Sequence, residues 1–322
     1  MKNILVVGGA GYIGSHQVRF LLDKGFKVVV FDDLSYGHRE CVHPSAVFVK
    51  GTLLSSDDLR NVFSEYKFDA VMHFAGFISV GESVQLPAKY YENNVAGTLN
   101  LLKVMMEFGV KKFIFSSTAA VYGMPTKVPI TEDQELKPIN PYGRSKLFVE
   151  QVLQDFEHAY GLRYVALRYF NASGAGYDIG EWHEPETHLI PCTLLALLDG
   201  KSVKVFGNDY PTKDGTCVRD YIHVLDLAKA HYLALEFLFK HNESRVYNLG
   251  CGNGYSVKEV IDTCKSVTKR DIGVEVCPRR AGDPAFLIAS SEKIAAELGW
   301  RPEFGLKEIV SSAWDWHKKT HT

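Results

Sequence analysis

The chain has 322 residues, 46% of them hydrophobic, and 36 Lys and Arg against 38 Asp and Glu give a formal charge of -2. That length buries a sizeable core and fits one large domain with a smaller lobe. The near-neutral balance excludes a global electrostatic pull toward nucleic acid or an anionic membrane, and no apolar run approaches the roughly 20 residues of a spanning helix. Any phosphate binding must therefore be local. The first apolar run, residues 4–7, is too short for a secretory signal and leads straight into a glycine turn, so a cytoplasmic protein is expected. Six scattered cysteines form no C-x-x-C pair and no zinc-type spacing with histidine, so reduced thiols and no metal are expected.

Apolar runs at 4–7, 28–31, 70–74, 112–116 and 164–168 alternate with amphipathic stretches at 15–24, 57–66, 91–108 and 142–160. Short continuous apolar runs separated by helix-period segments predict βαβ units around a parallel sheet buried on both faces. Residues 1–170 are read as an α/β domain with a doubly wound parallel sheet of the Rossmann type. Residues 171–322 are read as a smaller C-terminal lobe that binds substrate: a polar loop at 177–185, a helix at 190–198 and then short strands. Segments near 220–250 are expected to return to the main domain, because 246–249 again reads as a short buried strand.

Directly after the first strand, Gly8, Gly11 and Gly14 form a G-x-x-G-x-x-G turn that opens a helix. Glycines there permit a tight turn and close approach to a pyrophosphate, and the helix start offers amide hydrogens and a positive dipole end. Asp32, 18 residues past Gly14, ends the second strand. A carboxylate there accepts from ribose hydroxyls and repels a 2′-phosphate, so NAD is expected rather than NADP.

Tyr142 and Lys146 lie four apart on one predicted helix, hence on one face. A free phenol ionises near 10 and is a poor base at neutral pH; a nearby ammonium and the positive ring of NAD+ favour its phenolate. Tyr142 is therefore the candidate general base and Lys146 its activator. The 113–115 strand ends in Ser116, Ser117 and Thr118, where ligands bind open parallel sheets, and Thr118 can offer a hydroxyl to the same reacting oxygen.

The glycine turn, Asp32, His-Phe-Ala-Gly at 73–76, Asn-Asn-Val at 93–95, the 116–123 segment, Tyr142 with Lys146, and Arg-Tyr-Phe-Asn at 168–171 resemble the extended short-chain dehydrogenases/reductases in order. Further segments at 80–84, 206–212, 214–216, 218–224 and 279–283 resemble the UDP-glucose 4-epimerases within that family. The resemblance covers essentially the whole chain. It implies that Tyr12 and Ile13 line the pyrophosphate turn, that Phe74, Ala75 and Gly76 pass beside the NAD with Asn93 nearby, and that Phe170 and Asn171 separate nicotinamide from sugar. It implies that Arg219 and Arg280 hold the diphosphate of a UDP-sugar, that Asp283 accepts from its ribose, and that Lys204 and Phe206 flank its uracil.

The reaction so implied is reversible 4-epimerisation of a UDP-hexose by transient oxidation at carbon 4, with Thr118, Tyr142 and Lys146 as catalytic residues and NAD regenerated in each cycle. A homodimer is implied through the helices at 91–108 and 142–160. Departures from the family are Thr118 for serine, Thr52 for the aspartate expected beside Gly51, Ile78 for lysine, and Thr187 and His188 for a pair of asparagines. The bulk of Phe286 disfavours an N-acetyl group at carbon 2. A 4,6-dehydratase is disfavoured because Ala119 and Ala120 stand where its acidic pair would follow the strand-end threonine. A 4-epimerase of another UDP-sugar (pentose, uronate or N-acetylhexosamine) and a non-catalytic NAD-binding regulator remain the alternatives.

Overall fold

The computed structural model describes residues 1–280 and 282–321; Ala281, in the 279–283 segment, lies outside the described residues. The elements in chain order begin with β1 (Asn3–Val7), α1 (Tyr12–Asp23), β2 (Lys27–Asp32), β3 (Val47–Lys50), α2 (Ser56–Glu65) and β4 (Ala70–His73). Next come α3 (Val80–Gln85), α4 (Pro87–Tyr90), α5 (Gly97–Glu107), β5 (Lys112–Thr118), α6 (Pro141–Tyr160), β6 (Arg163–Tyr169) and β7 (Asn171–Ser173). The remainder is α7 (Leu189–Asp199), β8 (Val203–Phe206), β9 (Val218–His223), α8 (Val224–His241), β10 (Arg245–Leu249), β11 (Gly254–Ser256), α9 (Val257–Thr268), β12 (Val274–Cys277), β13 (Phe286–Leu287), α10 (Glu292–Leu298) and α11 (Leu306–Thr320).

Two compact units result, one of 1–123, 136–168 and 228–247, the other of 124–135, 169–227 and 248–322. The first is built on a seven-stranded sheet in the order β10-β6-β5-β4-β1-β2-β3. The pairs β1/β2, β1/β4, β2/β3 and β4/β5 are all parallel. Strand order reverses beside β1, so the glycine turn leaves the carboxyl end of a strand at a switch point of the sheet. Leu5, Val29, Val71 and Phe113 are at most 2% exposed, each such side chain contributing about 1.5–3 kcal/mol of burial. The segment 245–249 joins this sheet, as its apolar run predicts.

The second unit holds a sheet with β9 between β11 and β13, β7 also pairing with β9, and a separate ribbon of β8 and β12. Its core gathers Ile190 and Leu194 of α7, Val260 of α9 and Ile309 of α11. The strand β3 and the helices α8, α9 and α11 lie beyond what the sequence alternation predicts. In α8, Leu227, Ala230, Ala234, Leu235 and Leu238 are all buried, so the polar face that would reveal its period is narrow.

The predicted helix at 91–108 runs without a break, but its first segment, Tyr91–Ala96, is a π turn before α5 begins. A π turn carries one extra residue. Here Asn94 turns inward, its side chain donating to the Phe77 carbonyl at 3.0 Å and accepting from the Phe77 amide at 2.9 Å. No helix among the described residues is long and apolar enough to cross a membrane.

Candidate active site

The first unit assembles a dinucleotide cradle from three segments. Gly8 sits at φ +79°, and a Cβ there would come within 2.4 Å of the Ala75 amide nitrogen. A Cβ on Gly14 would lie 2.1 Å from the Gly8 carbonyl oxygen, so only glycine lets α1 start against the turn. Gly11, by contrast, has nothing closer than 3.5 Å on its Cβ side, which leaves its backbone open to a ligand. As N-cap of α1, with Tyr12, Ile13 and Gly14 forming the first turn, it supplies no side-chain cap, as an anion-binding helix start requires.

Phe74 and Ala75 both donate their amides to the Val7 carbonyl, at 2.8 and 3.1 Å, which draws the 74–76 segment against the glycine turn. Asp32 is 8% exposed. Its two oxygens accept one amide each, from Ala10 and Leu34, both at 2.9 Å. Burial pushes its pKa up and the two amides pull it back. Each oxygen keeps a further lone pair, so the carboxylate both braces the turn and can still accept from a ribose hydroxyl. These features fit NAD.

The catalytic candidates meet in the same unit. Asn140 caps α6, accepting from the Gly143 amide at 2.8 Å. A Cβ on Gly143 would lie 2.6 Å from the Ala120 carbonyl oxygen, so glycine lets α6 press its first turn onto the end of β5. The Thr118 side chain consequently lies close enough to the Tyr142 phenol to pull its pKa down. The Thr118 oxygen already accepts from the Ala120 amide at 3.1 Å, leaving its proton for the phenol oxygen. Lys146, 3% exposed, donates to the Ser116 carbonyl at 2.9 Å and stands 5.0 Å over the Phe115 ring. A Cβ on Gly76 would be 3.4 Å from the Lys146 ammonium, which puts the cradle and the candidate lysine side by side.

The chain's own groups do not by themselves favour the Tyr142 phenolate. The phenol of Tyr142 is shifted up, because burial outweighs the Thr118 side chain that pulls it down. Lys146 does not reverse this: its ammonium is engaged by the Ser116 carbonyl, and burial pulls its own pKa down to about 8. The protein's own groups therefore hold Tyr142 protonated at neutral pH. Nearby His73 is kept neutral, its pKa lowered to about 3 by burial and by the Lys146 charge.

Two features of this site escape the sequence reading. Asn94, rather than Asn93, braces the 76–77 segment; Asn93 is half-buried and donates to the Asn94 side-chain oxygen at 3.0 Å. The other is a buried ion pair one helical turn beyond Lys146. Glu150, 2% exposed, takes three hydrogen bonds from Arg168, at 2.5, 3.0 and 3.2 Å, and one from the Ser117 hydroxyl at 2.5 Å. Arg168 also donates to the Tyr122 hydroxyl at 2.9 Å. Tyr142, Lys146 and Glu150 fall four apart on α6, so this pair fixes the helix face that carries the catalytic groups. An acid at that spacing, with an arginine ending the next strand, is the signal that finds it.

The second unit carries the proposed nucleotide contacts. Arg219 and Asp283 form a direct ion pair. The Arg280 guanidinium lies 4.1 Å over the Phe206 ring, while Lys204 is exposed on β8. Asn171 donates to the Asp220 carbonyl at 2.8 Å, and the Phe170 amide donates to the Leu249 carbonyl at 3.3 Å. β13 pairs with β9 so that Phe286 faces Val218 and Leu287 faces Arg219. Asp220 itself is fully buried and accepts amides from Cys251, Gly252 and Ala289 at 2.7–3.1 Å, with burial pushing its pKa up to about 6.

Residues 4–250 match the model of the NAD dependent epimerase/dehydratase family. A UDP-glucose 4-epimerase of Halalkalibacterium halodurans is 53% identical over 98% of this chain and 96% of its own length. A crystal structure of a UDP-glucose 4-epimerase superimposes with a TM-score of 0.97 at 50% identity, covering 100% of this chain and 99% of its own. The UDP-glucose 4-epimerase from Bifidobacterium longum, solved in complex with NAD+ and UDP, gives a TM-score of 0.93 at 40% identity, covering 99% of each chain.

Proposed function

The chain belongs to the NAD dependent epimerase/dehydratase family, and from that premise we propose that it interconverts UDP-glucose and UDP-galactose by reversible oxidation at carbon 4. The observation that carries the chemistry is the convergence of Thr118 on the Tyr142 phenol, whose pKa it lowers, with Lys146 on the same helix face one turn on. When bound, NAD+ takes up and returns the hydride of carbon 4 and brings a positive charge to the site.

The chain's own groups handle the proton. With the positive charge of NAD+ favouring its phenolate, Tyr142 accepts the proton from the 4-hydroxyl and returns it to the carbonyl oxygen of the 4-keto sugar once the other face is presented. Thr118, whose oxygen is held by the Ala120 amide, donates to the phenol oxygen and lowers the cost of its negative charge. Lys146 places a buried positive charge one helical turn on from Tyr142, against the Ser116 carbonyl, and Glu150 with Arg168 keeps α6 in register. Asp32 selects NAD by accepting from the adenosine ribose.

Arg219 and Arg280 are the diphosphate ligands, because a guanidinium fork meets phosphate oxygens in pairs. Asp283 serves the uridine ribose, Phe206 and Lys204 flank the base, and Phe170 and Asn171 screen the sugar. Phe286 directs the site toward hexoses without a 2-acetamido group. Phe148 and Tyr160, 55% and 54% exposed on α6, leave apolar surface on that helix for the homodimer contact that the family resemblance implies. Cytoplasmic location accords with the chemistry of a nucleotide-sugar enzyme.

Incubation of the purified protein with a panel of UDP-sugars, without added cofactor, tests the reading. UDP-glucose and UDP-galactose should reach the same mixture from either side. Faster turnover of UDP-pentoses or UDP-uronates would favour the other epimerases, and no turnover of any sugar would leave a binding protein.

A further inference from the structure

We propose that Glu181, His183, Glu186 and His188, in the second unit, form a site for a divalent transition metal of the zinc class, which staples the loop ahead of α7. The donor atoms of all four side chains lie within 4.8 Å of one another. They come from a single E-x-H-x-x-E-x-H run of eight residues.

The longer two of the four nitrogen–oxygen distances match the edges of a coordination shell, and the shorter two are hydrogen-bond distances that a bound ion would lengthen. Zinc ligands sit about 2.0–2.2 Å from the ion, so the edges of a tetrahedral set measure roughly 3.3–3.5 Å. His183 Nδ1 lies 3.4 Å from a Glu181 oxygen and 3.5 Å from a Glu186 oxygen. His188 Nδ1 lies 2.8 Å from the same Glu181 oxygen and 3.0 Å from the other Glu186 oxygen. Both imidazoles thus aim the same ring nitrogen at both carboxylates. A single N–H cannot point well at two acceptors, whereas a central cation satisfies all four groups. Two neutral imidazoles and two carboxylates also carry the charge of -2 that a divalent ion balances, and mixed nitrogen and oxygen donors select zinc over magnesium or calcium.

The backbone around the four residues is built to hold them. Gly176 and Ile179 exchange amide bonds at 3.0 Å in a tight hairpin with Tyr177 and Asp178 at positive φ, and this hairpin delivers Glu181. Gly180 lies against the Trp316 ring of α11, where a Cβ would come within 2.3 Å. At the other end, Glu186 accepts the amides of Thr187 and His188 at 2.7 and 2.8 Å, and His188 is the N-cap of α7. The Glu181 and Glu186 side chains are only 5% and 9% exposed, so the two carboxylates are withdrawn from water side by side. Like charges buried together need positive partners, which the two imidazolium rings supply without an ion and a divalent cation would supply on displacing their protons. An ion there ties the 176–179 hairpin to the start of α7.

The test uses tag-free full-length protein, stripped with chelator, desalted, loaded with ZnCl2 and desalted again. Mass spectrometry should find about one zinc ion per chain in the wild type and a small residue in His183→Gln/His188→Gln. Competition against a chromophoric chelator should show the double variant binding at least about 100-fold more weakly, and Glu186→Gln at least about 10-fold. Zinc should also raise the thermal midpoint of the wild type, raise that of Glu186→Gln less at equal zinc, and leave that of His183→Gln/His188→Gln nearly unmoved, while all three retain NAD. Equal zinc retention by wild type and variants, or none by the wild type, would overturn the proposal.

Discussion

Replacing Lys146 by Met probes what it costs to hold an ammonium where α6 puts it. The side chain is 3% exposed and its pKa is pulled from 10.5 down to about 8 by burial. A depressed lysine pKa means that the charged form is worse off in the fold than in the unfolded chain. The penalty is complete below pH 8 and is relieved as pH climbs from there toward 10.5. Between about pH 7 and about pH 9.5 the relief amounts to roughly 2 kcal/mol, at 1.36 kcal/mol per pH unit above the folded pKa. Lys146→Met lacks the titration, so the wild type should gain about 2 kcal/mol on the variant over that interval. Urea unfolding of both proteins, freed of cofactor, at the two pH values gives the double difference. It cancels the Ser116 hydrogen bond that the variant also loses. A difference independent of pH, or one that shrinks as pH rises, would refute the burial of a charged lysine at this position.

Glu150→Ala should lower stability by about 3–5 kcal/mol, because it leaves the Arg168 guanidinium buried without its carboxylate; thermal unfolding checks it, and a loss under about 1 kcal/mol would mean the pair is dispensable. Arg219→Ala should raise KM for UDP-glucose about tenfold or more while NAD content stays at the wild-type level, since a charge-assisted phosphate contact is worth about 1.5–3 kcal/mol. UDP-N-acetylglucosamine should turn over at least about tenfold more slowly than UDP-glucose if Phe286 crowds the carbon-2 substituent, a clash worth about 1.4 kcal/mol or more. Equal rates would remove Phe286 from the specificity argument.

What the sequence reveals here are the features written locally. The glycine turn and the apolar runs of the buried strands announce themselves by spacing, and Tyr142 and Lys146 share a helix face because four residues separate them. The strand at 245–249 is legible for the same reason, although its place in the first sheet depends on a long return. Contacts between distant segments leave no period. Arg168 finding Glu150, or Asn94 turning inward through a π turn to hold Phe77, requires the fold to be known. The balance of forces on Tyr142 is hidden too: spacing places an ammonium nearby, but only coordinates reveal that burial wins. The histidine and glutamate run at 181–188 is local and readable, yet a search keyed to cysteine spacing passes over it.

Tyr142→Phe is the most direct probe of the acid–base assignment, with cofactor content and C-4 interconversion of UDP-galactose measured on the same preparation. The variant should fold, keep its NAD, and lose about 10²–10⁴-fold in rate, the range typical of a positioned acid–base group. Interconversion at the wild-type rate by a variant lacking that hydroxyl would contradict the role given to Tyr142 and, with it, the purpose of its contact with Thr118.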